Sequence, residues 1–276
     1  MRLKGMDMLI PGRFLEFYKT IDLSSNFLTQ GIPVEFGKLV ELHSLNLSGN
    51  QLVGSIPSRV IPNCWTYGTN MIILNLANNN LKGEIPKLSL RILDLSENQL
   101  KGEIPRCVFP AMATDESINE KSYMEFLTIK ESFSIYLYEK KSFYGGQFAN
   151  LKIIDLSSNL LTHGIPVAIG KLVELQVLNL SRNQLVGSIP SNIGEMQSLE
   201  FLDLSMNHLS CAIPTSMANI DRLVMLDLSY NTLSGKIPIG TRLQAFDGSS
   251  FEGNPHLCGE QLDKACPRNN MPISVF

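Results

Sequence analysis

Tryptophan occurs once, at Trp65, and histidine only four times, at His43, His163, His208 and His256. The histidines are scattered over turns, a strand approach and the tail. None pairs with a nucleophile or with a metal-ligand set, so they read as solvated surface groups. Five cysteines are present, at 64, 107, 211, 258 and 266, with no C-x-x-C pair to argue for zinc. A nucleophile elbow, a phosphate loop and the kinase signatures are all missing, so neither catalysis nor a cofactor is expected. The net charge is −3 and no basic run occurs, which argues against a nucleic-acid partner. No apolar stretch reaches the length of a membrane-spanning helix. Near the N-terminus Asp7, Pro11, Arg13 and Glu16 interrupt any signal-peptide core, so neither an export signal nor an anchor is expected within this chain.

What the sequence does contain is a period. Residues 151–246 repeat one sentence four times: LKIIDLSSNLLTHGIP, LQVLNLSRNQLVGSIP, LEFLDLSMNHLSCAIP and LVMLDLSYNTLSGKIP. Asn159, Asn183, Asn207 and Asn231 fall 24 residues apart. Within 175–180 the residues alternate, so Leu178 and Leu180 point one way while Val177 and Asn179 point the other. One short strand cannot bury its leucines alone; stacked coils bury them against one another. The recurring Asn sits where the chain leaves the strand, and its amide can satisfy backbone groups of adjacent coils. The Ile-Pro pairs at 165–166, 189–190, 213–214 and 237–238 bring an isoleucine from the opposite wall. Their proline presets φ and keeps the return arm from becoming a regular helix. A period of 20–29 with L-x-x-L-x-L-x-x-N-x-L is the leucine-rich-repeat signature.

The same sentence opens the chain. Its turn asparagines are Asn26, Asn50, Asn79 and Asn98, spaced by 24, 29 and 19. Residues 19–60 align without gaps to residues 152–193, with 32 of 42 positions identical. Adjacent coils share far less, so coil similarity alone does not explain the match, and the expectation is a partial tandem duplication or a fused gene model. Residues 106–150 break the pattern: a polar run is followed by an aromatic, β-prone stretch that includes Tyr136 and Tyr138. An insertion into a solenoid maps to its surface. The expected organisation is therefore residues 1–16 outside the repeat, 17–105 a first block of four coils, 106–150 an insertion, 151–246 a second block of four coils, and 247–276 a cap and tail.

The L-x-G-x-I-P coil endings, the insertion four coils before the end, and the tail SFEGNPHLCGEQLDKAC closely resemble the plant extracellular leucine-rich-repeat class, specifically the receptor-like proteins of elicitor and disease-resistance type. The resemblance covers most of the chain. It implies an α/β leucine-rich-repeat solenoid: a right-handed superhelix, mostly strand and 3-10 turn, with a parallel concave sheet. Residues 1–16 resemble the end of such an insertion. By the same resemblance the chain is a truncated ectodomain at the cell surface that binds a protein or peptide ligand and a leucine-rich-repeat co-receptor kinase. Phe246, Phe251 and Leu257 are the expected cap, pinned by a Cys258–Cys266 disulfide whose eight-residue spacing suits an oxidising compartment. Two alternatives stand beside it: a secreted repeat inhibitor or scaffold of the polygalacturonase-inhibiting type, and a non-functional duplication product.

Outward strand positions should form columns on the concave face. One is apolar and exposed: Ile153, Val177, Phe201, Met225. The next is Asp155, Asn179, Asp203, Asp227, followed by a Ser column from Ser157 to Ser229. Ser158, Arg182, Met206 and Tyr230 run beside them. An apolar ladder beside an acidic one is the kind of patch that binds a protein carrying Lys, Arg or aromatic groups. The polar columns have a second reading, in which they only complete the hydrogen bonding of the strands. Phe201, Met225 and Tyr230 are expected to touch a co-receptor, and Tyr136 and Tyr138 in the insertion a ligand or co-receptor. Cys211, standing where neighbouring coils carry Gly187 and Gly235, is expected to be a free, semi-buried thiol. Asn46-Leu-Ser48 and Asn179-Leu-Ser181 are N-glycosylation sequons.

Overall fold

A computed structural model describes residues 2–3, 6–7, 19–57, 71–87, 90–105, 152–240 and 242–267. Expectations for Tyr136, Tyr138, Cys64, Cys107 and the whole of the insertion fall outside the described residues. The chain divides into two compact units, residues 1–101 with 107–155, and residues 102–106 with 156–276.

In the first unit five strands pair in parallel: β1 (Lys19–Asp22), β2 (Leu42–Asn46), β3 (Ile73–Asn75), β4 (Ile92–Asp94) and β5 (Ile153–Asp155). The second unit pairs β6 (Val177–Asn179), β7 (Phe201–Asp203) and β8 (Met225–Asp227) the same way. Register follows the repeat: Val177 faces Phe201, which faces Met225, and Asn179, Asp203 and Asp227 form the next row. A second parallel ladder closes the opposite side of each coil. In the second unit it joins Val186–Ser188, His208–Cys211, Thr232–Lys236 and His256–Cys258.

Between the ladders the chain returns through five-residue 3-10 turns at Val34–Lys38, Val167–Lys171, Ser191–Glu195 and Thr215–Asn219. Each begins after an extended proline; Pro190, for example, has φ −59° and ψ 136°. Close stacking keeps these turns short. A Cβ on Gly194 would lie 2.2 Å from the Ser216 carbonyl oxygen of the next turn.

The core is a column of repeated positions. In one coil Leu175, Leu178, Leu180, Leu185, Ile189, Ile193 and Met196 are all buried. Burying each such side chain stabilises by roughly 1.5–3 kcal/mol against exposure. The turn asparagines hold successive coils in register. Asn183 donates from Nδ2 to the Leu180 and Ser181 carbonyls of its own coil and to Leu156 of the coil before, at 3.0–3.1 Å. Its Oδ1 accepts the Leu161 amide at 3.0 Å. Asn50, Asn79, Asn98, Asn207 and Asn231 repeat the pattern. Asn159 shares the bonds within its own coil.

The C-terminal cap covers the last coil. Phe251, Leu257 and Leu243 are buried, and Phe246 is half-buried. Leu243 escapes the sequence reading because it lies in a short 3-10 turn, Leu243–Ala245, off the apolar register of the preceding coils, where the equivalent position is Asn219. Cys258 and Cys266 are joined, with their Cα atoms 5.1 Å apart. The chain then folds back in an antiparallel bridge between Gly259 and Lys264, which pairs backbone beyond the last strand of the outer ladder.

Candidate binding face

In the second unit the concave row runs Val177, Phe201, Met225. Phe201 and Met225 are half-buried and present part of their side chains outward, whereas Val177 is buried. In the first unit Ile153 is buried too. The expected exposed column is thus corrected at Ile153 and Val177. Parallel strands lie about 4.8 Å apart, so a compact β-branched side chain in mid-row is flanked closely by its neighbours. The larger Phe201 and Met225 project further.

Asp203 and Asp227 are register partners on β7 and β8. Asp203 is buried and Asp227 half-buried. Burial, then the Asp227 charge, raise the Asp203 pKa against the opposing pull of its bonds from Ser205. Each carboxylate closes a turn. Asp203 Oδ1 accepts the Ser205 amide, and Asp227 Oδ1 the Ser229 amide, both at 2.9 Å. Asn179 does the same for the Ser181 amide at 3.1 Å and also accepts the Ser181 hydroxyl at 2.8 Å. Ser157, Ser181, Ser205 and Ser229 are buried, so the Ser column contributes turn closure rather than an accessible surface.

The first unit has a matching pair. Asp94 and Asp155 are register partners on β4 and β5. Burial, with the neighbouring Asp155 charge, pushes the Asp94 carboxyl up to about 7. Its Oδ1 accepts the Ser96 amide at 3.1 Å and the Ser96 hydroxyl at 2.7 Å.

Beside the rows runs a corner of left-handed backbone. Ser158, Arg182, Met206 and Tyr230 all have φ between 52° and 54°. Met206 and Tyr230 are exposed. Tyr230 is fixed from the cap: its hydroxyl donates to Glu252 Oε1 at 2.8 Å, and its amide donates to the Glu252 carbonyl at 2.8 Å. That bond to Glu252, followed by the carboxylate's charge, raises the phenol pKa. Gly253 is required there, because a Cβ at this position would lie 2.6 Å from the Tyr230 ring.

Asn46 of the first sequon is buried, and its Oδ1 accepts the Ser48 amide and hydroxyl at 3.1 and 2.7 Å. Asn179 of the second sequon is half-buried. Cys211 is free but exposed, not semi-buried as expected. It ends the outer strand with φ 67°, a turn that leaves its side chain outside the coil. Asn254 is a member of the asparagine ladder that the sequence reading missed; its spacing of 23 from Asn231 is the available signal. No group of three His, Cys, Asp or Glu among the described residues could hold a metal ion, and no helix among them could cross a membrane.

Stacked parallel strands, the asparagine ladder and a capped end define a leucine-rich-repeat solenoid. Leucine-rich-repeat models match residues 19–39, 41–63, 89–110, 127–185, 198–220 and 222–242, more than half of the chain. The chain belongs to the leucine-rich-repeat family, and its relatives are plant receptor-like proteins. It is 51% identical to receptor-like protein EIX2 of Solanum lycopersicum over 256 residues, which are 86% of this chain and 24% of that protein. Among solved structures it resembles the plant peptide hormone receptor RGFR1 in complex with RGF2, at TM-score 0.65 and 26% identity over 87% of this chain and 33% of that one. It also resembles the ectodomain of the Arabidopsis receptor kinase HAESA in complex with an IDA peptide hormone, at TM-score 0.63 and 31% identity over 91% of this chain and 35% of that one. The chain therefore spans about a quarter of its tomato relative.

Proposed function

We propose that the chain is part of a receptor-like ectodomain, on the extracellular side of the plasma membrane, that binds a protein or peptide ligand and a leucine-rich-repeat co-receptor kinase in plant defence. It carries no catalysis of its own. The co-receptor contact lies on the second unit at Phe201, Met225 and Tyr230, beside the carboxylates of Asp203 and Asp227. The observation that carries this reading is the pairing of two half-exposed apolar side chains on adjacent strands with an acidic row, next to an aromatic ring held by the cap. Such a patch complements an aromatic or aliphatic anchor flanked by Lys or Arg. EIX2 similarity supports the receptor class, and RGFR1 and HAESA are neighbours that hold peptide hormones. Tyr136 and Tyr138 in the insertion are assigned to ligand or co-receptor contact, and Asn179, rather than buried Asn46, to glycan attachment.

The test is capture of a co-receptor kinase ectodomain by the intact chain and by Phe201→Asp. A charge placed among the anchors should weaken capture roughly 10-fold or more. Equal capture by both would overturn the concave-face assignment.

A further inference from the structure

The cap puts a charge where the coils before it put a small neutral group. Glu252 takes the place that Ser181, Ser205 and Ser229 hold in the second unit. Its carbonyl accepts the Tyr230 amide at 2.8 Å, as the Ser229 carbonyl accepts the Met206 amide at 3.0 Å one rung earlier. Those serines are buried, whereas Glu252 is exposed. Its Oε1 accepts the Tyr230 hydroxyl at 2.8 Å. Its Oε2 has no bond, and the carboxylate pairs with no Lys or Arg, among the described residues.

Tyr230 is held before any partner arrives. Its hydroxyl and its amide both donate to Glu252, and the ring leans over Gly253, where a Cβ would lie 2.6 Å from Cδ1. The residue is nevertheless 50% exposed, and Met206, one rung before it on the same left-handed corner, is 39% exposed. The bond to Glu252, then that carboxylate's charge, then burial and the Asp227 charge raise the phenol pKa; no cation acts against them. An exposed aromatic ring with its polar tip satisfied, in the field of two carboxylates and beside a thioether, attracts a cation carried on an apolar stem.

We propose that Met206, Tyr230 and Glu252 form a subsite for one arginine side chain of a protein partner. The guanidinium stacks on the Tyr230 ring and donates to Glu252 Oε2, while its methylene stem crosses Met206. Successive rungs lie about 4.8 Å apart, a distance that stem spans. Arginine fits better than lysine, because a planar fork lies on a ring and reaches a carboxylate at once, while an ammonium is a compact charge that holds its water more strongly. The subsite extends the partner-binding face proposed above and rests on that reading for the identity of the partner, a co-receptor kinase ectodomain. The preference for arginine rests on the local geometry.

The first arm of the test titrates N-acetyl-arginine amide, and its neutral isostere N-acetyl-citrulline amide, into the intact chain while NMR follows the Tyr230 ring resonances. The arginine compound should shift them at least about 5-fold further than the citrulline compound at equal concentration. Glu252→Gln keeps an oxygen for the phenol but loses the charge, and should weaken the arginine response about 5-fold or more. Equal shifts from the two compounds, or an unchanged response in Glu252→Gln, would overturn the subsite. The second arm is capture of a co-receptor kinase ectodomain. A loss of about 5-fold or more on Glu252→Gln supports that partner as the source of the arginine, and equal capture by both chains overturns it. No capture by the intact chain, with the arginine response present, overturns the co-receptor reading while the subsite stands.

Discussion

Asn254 stands to Leu233 as Asn231 stands to Leu209: its Oδ1 accepts the Leu233 amide at 3.0 Å, against 2.9 Å for the pair one coil earlier. Its Nδ2 donates to Leu228, Phe251 and Glu252 carbonyls, the same three kinds of partner that Asn183, Asn207 and Asn231 use. The cap is therefore a shortened coil that keeps the asparagine and replaces the strand with the 3-10 turn Gly248–Ser250.

Replacing a ladder asparagine should be among the most costly single changes. Asn183→Ala and Asn254→Ala each leave several buried backbone groups without partners. The expected loss is roughly 3 kcal/mol or more, read as a shift of the urea midpoint at constant slope.

Asp94→Asn should stabilise the protein at neutral pH. Asn occupies the same place in Asn46, Asn75 and Asn179, where its Oδ1 closes the same turn. The raised Asp94 pKa means that the folded state holds a proton the unfolded chain has released. Its contribution is fully present below the unfolded value near 4 and is lost as pH rises through about 7. The gain for Asn at pH 8 should be on the order of 2 kcal/mol, vanishing near pH 4. Thermal unfolding of both chains across that range checks the sign.

Cys211→Gly should also stabilise, by roughly 1 kcal/mol, because left-handed backbone strains a residue that carries a Cβ. Cys211 adopts φ 67° where the adjacent coils carry Gly187 and Gly235 at 81° and 84°. The same change should abolish the thiol at this site that native-state labelling detects, since Cys211 is exposed.

Reducing the Cys258–Cys266 bridge should cost about 2–3 kcal/mol for so short a loop. The effect should concentrate in the cap. Amides bonded to Cys258 and Lys264 carbonyls, those of Ile237 and Gly259, should lose protection before the interior coils do.

Much of this was legible from the period. The turn asparagines, the proline before each return arm and the parallel stacking follow from which residue recurs at which spacing, because each is a contact between equivalent positions of neighbouring coils. Exposure was not legible in the same way. Ile153, Val177 and Phe201 occupy one pattern position, yet only Phe201 reaches solvent appreciably, because side-chain size against the neighbours decides it. Asn254 was hidden because no leucine strand pattern precedes it, and Leu243 because it lies off the 24-residue apolar register of its block. The Ser column is buried, and the Ser181, Ser205 and Ser229 amides donate to the Asn or Asp two residues before, a closure that pattern alone does not specify.

The turn after each concave strand accepts Asp and Asn alike, since both offer the same oxygen to the residue two positions on. Shape and electric potential are thereby decoupled on this face. A single Asp-to-Asn exchange removes one negative charge from a chosen rung, and with a following Ser creates a sequon, while the backbone stays where it was. The scaffold can retune what it attracts one coil at a time without being rebuilt.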